Sequence, residues 1–360
     1  MKSRILKTVI IFTILQLLFI SLCTYKKAFA SPYIVQEFTS ATLAYGVNDH
    51  DVIVGCTSYA NTDFAYSYDF VNDTFMNLSP PGTTTSWAHA INESGEIAGG
   101  GISDRYRAFY WVNGVATDLT PSDSYGANAI DINEKGQSVG YSKDLVTRQM
   151  QGILWESDGT YKYLIPGQYT NTLARAINDN GQIVGTGEAS RKSGLFWENP
   201  SASPKEIPAP SDWTQIVPLA INESGQVVGY GRGGTFWGHA FLYSNNQFID
   251  LYDSALWENT FGYDINERGQ VLVGAEGYDG SEHILLWENG IFEDVTPVNF
   301  KYFDLAEINN LGHIVGSEGG RLGTGESYAF LATPIPEPST MLLLGSGLLG
   351  LWGFRKKFKK

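Results

Sequence analysis

The sequence predicts an all-β protein, a seven-bladed β-propeller of four-stranded antiparallel blades, and three observations predict it. A turn motif, typified by Ala220-Ile221-Asn222-Glu223-Ser224-Gly225-Gln226-Val227-Val228-Gly229, recurs on Asn48, Asn92, Asn133, Asn178, Asn222, Asn266 and Asn309. Successive Asn residues lie 44, 41, 45, 44, 44 and 43 apart, a period of propellers and solenoids. Between the motifs the apolar segments are short, rich in β-branched and aromatic residues and bounded by turn residues, with neither the length nor the 3.6-residue period of a helix. Four short strands in about 43 residues make one blade.

Each repeat has the same order. An inner strand A ends at the Asn, and strand B carries Val-Val-Gly or its equivalent. Asn and Gly tolerate positive φ, so Asn-x-x-Gly turns tightly, and the Asn side chain can bond backbone two residues on. Where His50 replaces the Gly, a looser first turn is expected. The Gly that closes the motif puts a residue without side chain where backbones approach. Strand C carries Phe, Leu and often Trp, as in Ala108-Phe109-Tyr110-Trp111 and Ile284-Leu285-Leu286-Trp287. Hairpin turns such as Asn113-Gly114 and Asn289-Gly290 follow, and strand D ends the unit at pairs such as Asp118-Leu119 and Asp294-Val295. The last repeat lacks strand D, because Phe330-Leu331 runs straight into Pro334-Ile335-Pro336, whereas residues 33–39 precede the first A strand and match a D strand. Val35 to Phe38 is therefore expected to pair as the outer strand of the final blade and close the ring, which leaves no open edge.

Both ends read as address labels around a 31–333 propeller. Residues 1–30 join Lys2, Arg4 and Lys7 to an apolar run and end on Ala28-Phe29-Ala30, a signal peptide that signal peptidase cuts before Ser31; Leu22 speaks against a lipoprotein at Cys23. Residues 334–360 carry Pro336, Glu337 and Pro338, an apolar helix over 341–354 and a basic end from Arg355 to Lys360. Fourteen helical residues span only about 21 Å of a bilayer core of about 30 Å, so membrane insertion is transient. This tail resembles the PEP-CTERM sorting signal of Gram-negative bacteria, which implies an exosortase as partner. The repeats from Ala44 to Thr333, with Ala-Ile-Asn-Glu-Ser-Gly-Gln-Val-Val-Gly and His239-Ala240-Phe241-Leu242, resemble the HAF family of bacterial extracellular repeats. That resemblance implies an exported propeller-like protein and brings no catalytic residues.

Charge narrows the partners. Ten of the 24 Lys and Arg and none of the 38 acids lie in residues 1–30 and 339–360, which leaves 14 basic groups and a net charge of -24 between. Such a chain repels nucleic acid. Cys56 is the one cysteine outside the signal peptide, so no disulfide forms within the exported chain.

Candidate sites sit where the copies disagree. Tyr169, Trp213, Trp257 and Phe300 each stand nine residues before the Asn, on D-to-A connections; exposed there, they would offer a ligand face for sugar rings, and otherwise they plug gaps between blades. Asp131, Asp264 and Glu307 stand two residues before the Asn and would hold a cation such as calcium if they converged on the axis. No other cofactor is expected: the five His share no metal-ligand spacing, and Asn178-Asp179-Asn180-Gly181 lacks the later Glu of a calcium loop. Lipase-type Gly-x-Ser-x-Gly, Walker and dinucleotide-binding patterns are absent. The expected function is a non-catalytic binding or scaffold protein of the cell surface or extracellular matrix, with polysaccharide or a surface protein as ligand. The alternative is a propeller-fold polysaccharide hydrolase or lyase.

Overall fold

The computed structural model describes residues 33–37, 42–59, 62–234, 237–297, 303–318 and 328–335. The expected signal peptide, the motif Pro336, Glu337 and Pro338, the apolar segment 341–354 and Phe300 lie outside them. Among the described residues there are 28 strands and no helix long and apolar enough to cross a membrane.

The inner strands are Thr42–Val47, Thr85–Ile91, Ser124–Ile132, Thr170–Ile177, Trp213–Ile221, Trp257–Ile265 and Phe303–Ile308. Each pairs antiparallel with the strand after it, as Trp213–Ile221 does with Val227–Gly233, and the chain then steps outward through His239–Ser244 to Gln247–Asp250. Five sheets have four strands. The fourth and fifth repeats share one eight-stranded sheet, because a single parallel bridge, Lys192 to Gln215, joins strand C of one to strand A of the next. Residues Tyr33–Glu37 lie antiparallel on Tyr328–Pro334, with Val35 opposite Ala332.

The core lies between neighbouring sheets. Val54, Ala65 and Leu78 of the first repeat pack with Ala88, Ile97, Phe109 and Trp111 of the second, and the buried Trp111 donates Nε1–H to the Leu78 carbonyl at 2.8 Å. Trp155 and Trp197 do the same to Leu119 and Ile165. The first repeat also packs on the last, through Ala44, Val47 and Ile53 against Val315, Ala329 and Leu331. An indole that fills a hydrophobic gap and donates across it couples sheet to sheet by area and by direction together.

At one end of the sheets the Asn turns link into a circle. Each Asn is buried; its Oδ1 accepts the amide four residues on, and its Nδ2 donates to the carbonyl of the next repeat's Asn. The donations run from Asn48 to Asn92, Asn133, Asn178, Asn222, Asn266, Asn309 and back to Asn48, at 3.0 to 3.2 Å. A second circle lies outside it. The amide after each Asn meets the carboxylate or amide oxygen one repeat on, from Asp49 to Glu93, Glu134, Asp179, Glu223, Glu267, Asn310 and back. The Asn thus spans four residues as well as the two expected, and it reaches the neighbouring repeat.

The first turn is not loose. Asp51, not His50, stands in the Gly position, at φ 58°, and its amide still donates to the Asn48 carbonyl at 3.1 Å. Asp is among the residues that tolerate this region. The motif's closing Gly does face backbone: a Cβ on Gly185 or Gly229 would stand 1.9 or 2.1 Å from a carbonyl oxygen of strand A. In the sixth repeat Val273 holds that register position and faces Gly262 instead, so the small residue has moved to the opposite strand.

Asn222→Ala leaves the Gln226 amide and the Asn266 carbonyl without their partner, at about 1–3 kcal/mol per buried group. Chemical denaturation should show a loss of about 2–4 kcal/mol, against no measurable change for the exposed neighbour Ser224→Ala.

Candidate functional site

The inner strands line a channel, and their side chains near the Asn turns are where the repeats differ. Three residues before the Asn stand Tyr45, His89, Ile130, Arg175, Leu219 and Tyr263, all on the wall of one cavity of about 500 Å³. Asp131, Asp264 and Glu307 share that wall, although they come from the third, sixth and seventh repeats. Each has a definite task. Asp131 Oδ2 accepts the Ile177 amide at 2.8 Å, Asp264 Oδ2 the Ile308 amide at 2.9 Å, and Glu307 Oε2 the Val47 amide at 2.8 Å. Gly46 leaves room for the last of these, since a Cβ there would lie 2.9 Å from Glu307 Oε2.

Surrounded by protein, these carboxyls lose hydration, which disfavours the charged form. Burial pushes Asp131 up to about 7 and Asp264 up to about 6, and it raises Glu307 well above the ordinary range, with Asp264 as a further cause. Among the described residues no group of three or more His, Cys, Asp or Glu is arranged to hold a metal ion. One oxygen of each of these acids is instead engaged by a backbone amide of the next repeat. Burial also lowers the His89 imidazole to about 4.

The aromatic connections are corrected. Tyr169 and Trp213 are 7% and 3% exposed, so they do not form a surface of open rings. Trp213 lies on Gly231, where a Cβ would come 1.7 Å from its ring, and Tyr169 lies on Gly187 and donates its hydroxyl to Glu206 at 3.0 Å. Trp257 is half-buried, 4.8 Å from the His283 ring. The D-to-A chain turns inward onto strand-B glycines, and the rings fill the gap that those glycines leave.

A second cavity, of about 620 Å³, opens at the other end of the sheets between the fifth, sixth and seventh repeats. Its apolar wall is Trp237, Phe261 and Tyr263. Trp237 is 74% exposed, on the Gly-rich connection from Gly231 to Gly238. Gly238 sits against Phe261, where a Cβ would be 2.3 Å from the ring, and Phe261 packs edge-on to Tyr230 at 5.2 Å. The polar wall holds Arg232, Asn259, Glu258, Glu276, Glu282 and Asp304. Asn259 Nδ2 donates to Glu276 at 3.1 Å, while its Oδ1 is buried and meets no donor among the described residues. An open indole beside fixed acceptors suits a ligand with both an apolar face and hydroxyl groups. The sequence signal for this cleft was the glycine and aromatic run of one B-to-C connection, a place where one copy departs from the others.

Two family models match the chain. Residues 115–255 match a protein of unknown function (DUF3466), and residues 334–357 match the PEP-CTERM protein-sorting motif, which marks the chain for export and exosortase processing. No curated protein matches it. Among solved structures it is similar to an oligogalacturonate lyase in complex with manganese, at 9% identity and TM-score 0.58 over 85% of this chain and 97% of that one. It is similar to the β-propeller domain of the Trilobed protease from Pyrococcus furiosus, at 9% identity and TM-score 0.56 over 82% and 94%. A puromycin-hydrolyzing peptidase of Mycobacterium tuberculosis matches at 12% identity and TM-score 0.56; the chain covers 53% of it, with 80% of its own length. At such identities the likeness carries the fold, a β-propeller, and nothing of the chemistry.

The raised carboxyls set a pH dependence. The native chain binds more protons than the unfolded chain between the ordinary Asp value of 3.8 and about 7. Their contribution is therefore complete at low pH and lost as pH rises through 6 to 7. Asp131→Asn with Asp264→Asn keeps the acceptors and removes the titration. Melting temperature should fall between about pH 5 and pH 8 in the parent chain and fall less in the double variant; equal slopes would refute the assignment.

Proposed function

We propose that residues 31–333 form a seven-bladed β-propeller closed by the N-terminal strand, which after export binds polysaccharide of the cell surface or matrix at the cleft of Trp237. The seven circularly linked Asn turns and the pairing of Tyr33–Glu37 with the last repeat support the architecture. Tyr33 is buried and donates its hydroxyl to the Gly312 carbonyl at 2.9 Å, which ties the outer strand to the last turn. The sorting motif supports the destination, and the HAF likeness of the repeats agrees with it.

The observation that carries the ligand class is the open indole of Trp237 over a cavity walled by carboxylates and an unpaired Asn259 oxygen. A sugar ring offers C–H groups to an aromatic face and hydroxyls to acceptors around it. The same cleft favours one second reading: Glu258, Glu276, Glu282 and Asp304 bring four carboxyls to its wall, the residue type with which a hydrolase or lyase cleaves a glycosidic bond. New reducing ends from a bound polysaccharide would mark the enzyme; binding without them marks the binder.

Two outcomes are expected. Deleting residues 31–39 should lower the melting temperature sharply, and an unchanged melt would refute closure by that strand. Trp237→Ala should cut retention on isolated cell-surface polysaccharide by about tenfold, the worth of one stacked ring. Its melting temperature should stay within about 1 °C of the parent, since the side chain is open to solvent. Full retention would refute the cleft.

A further inference from the structure

We propose that Arg175, Lys192 and Arg232 form a site for an anionic group, a carboxylate or a sulfate borne by the sugar that the cleft takes. The proposal rests on the polysaccharide reading only for the source of that anion.

The three cations come from two adjoining repeats. Arg175 stands on inner strand Thr170–Ile177, Lys192 opens strand Lys192–Trp197, and Arg232 lies near the end of strand Val227–Gly233. Lys192 sits at the one bridge that joins the two repeats into a single sheet. The three are close enough to repel: burial lowers the Lys192 ammonium, the charges of Arg175 and Arg232 lower it further, and only Glu188 opposes them, with the net effect downward. Burial lowers Arg175 as well. A chain with 38 acids against 24 bases has ample means to neutralise such a cluster.

It does not do so. No carboxylate lies within ion-pair distance of any of the three among the described residues, whereas Arg107 holds Asp104 and Asp118, and Arg191 holds Glu206. Glu188, across the strands from Lys192, accepts the Asn171 Nδ2–H on its Oε2 at 2.8 Å. The Nε atoms of Arg175 and Arg232 are both buried and meet no acceptor among the described residues. All three side chains are half-buried, and a buried guanidinium N–H without an acceptor costs free energy that an incoming anion returns.

Two of the three face a cavity, one each. Arg175 lines the channel, and Arg232 lines the cleft beside Trp237, with its guanidinium 5.4 Å from the centre of the Tyr230 ring. Guanidinium groups take carboxylate and sulfate oxygens in pairs, and a lysine adds a point charge. A sugar stacked on the indole can therefore place an acidic substituent against Arg232, with Lys192 and Arg175 behind it.

The test uses the exported chain in two arms. In the first, millimolar sulfate is compared with chloride at matched ionic strength; sulfate should raise the melting temperature of the parent and not that of Lys192→Gln or Arg232→Gln. In the second, polygalacturonate should bind about tenfold tighter than neutral dextran, and both variants should lose that preference, as expected for lost charge-assisted hydrogen bonds. If Arg232→Gln folds poorly, Lys192→Gln decides. Stabilisation by sulfate with no binding of either polymer supports the anion site and overturns the polysaccharide reading. Equal binding of both polymers, unchanged by Lys192→Gln and with no response to sulfate, leaves the polysaccharide reading standing and overturns the anion site. No response in either arm overturns the anion site and the polysaccharide reading with it.

Discussion

Everything in this fold depends on one hydrogen bond made seven times: the side-chain amide of a buried Asn to the main-chain carbonyl of the next Asn. Asn is suited to it because one side chain offers an acceptor and a donor in a fixed plane. The acceptor satisfies the turn's own amide, and the donor leaves the repeat. Ser or Asp at that position would cap the turn and reach no further. Because the group is buried, losing one partner costs more than making the bond gains, so each repeat constrains its neighbour. The outer circle of carboxylates repeats the device one residue on, at the solvent edge, where it is worth less.

That constraint decides where variation is tolerated. Spacings of 41 to 45 residues all meet the same circle, so the differences in length must fall in the connections away from it. The wall of the channel varies as well, because a residue three positions before the Asn points where no neighbouring backbone needs it. Tyr45, His89, Ile130, Arg175 and Leu219 stand at one position of the repeat and share no chemistry. The acids two positions before the Asn are different: they vary among repeats, yet each of the three has been drafted into holding an amide of the next repeat.

The turn end of the sheets carries a closed circle of acids. Asp49, Glu93, Glu134, Asp179, Glu223 and Glu267 circle the turn end. Burial raises Glu134 and Glu267, and the neighbouring acids add to it. Arg175, Lys192 and Arg232 belong to the fourth and fifth repeats, and the last two lie toward the opposite end.

The all-β class, the repeat, the strand order and the tight Asn-Gly turns were legible in the chain, because they rest on local chemistry repeated seven times: positive φ at Gly225 or Gly269, hairpin residues at Asn113-Gly114, apolar segments too short for helices. The export motif was legible for the same reason, as a contiguous string. The site was not. Trp213 opens an inner strand and Trp237 lies on a connection, and sequence alone does not tell which ring is open; the first meets a glycine floor and is buried, the second meets solvent. Asp131, Asp264 and Glu307 are far apart in the chain and become neighbours only around a shared axis. Local propensity is encoded residue by residue, but burial and proximity between repeats are properties of the assembled sheets, and only the tertiary structure decides them.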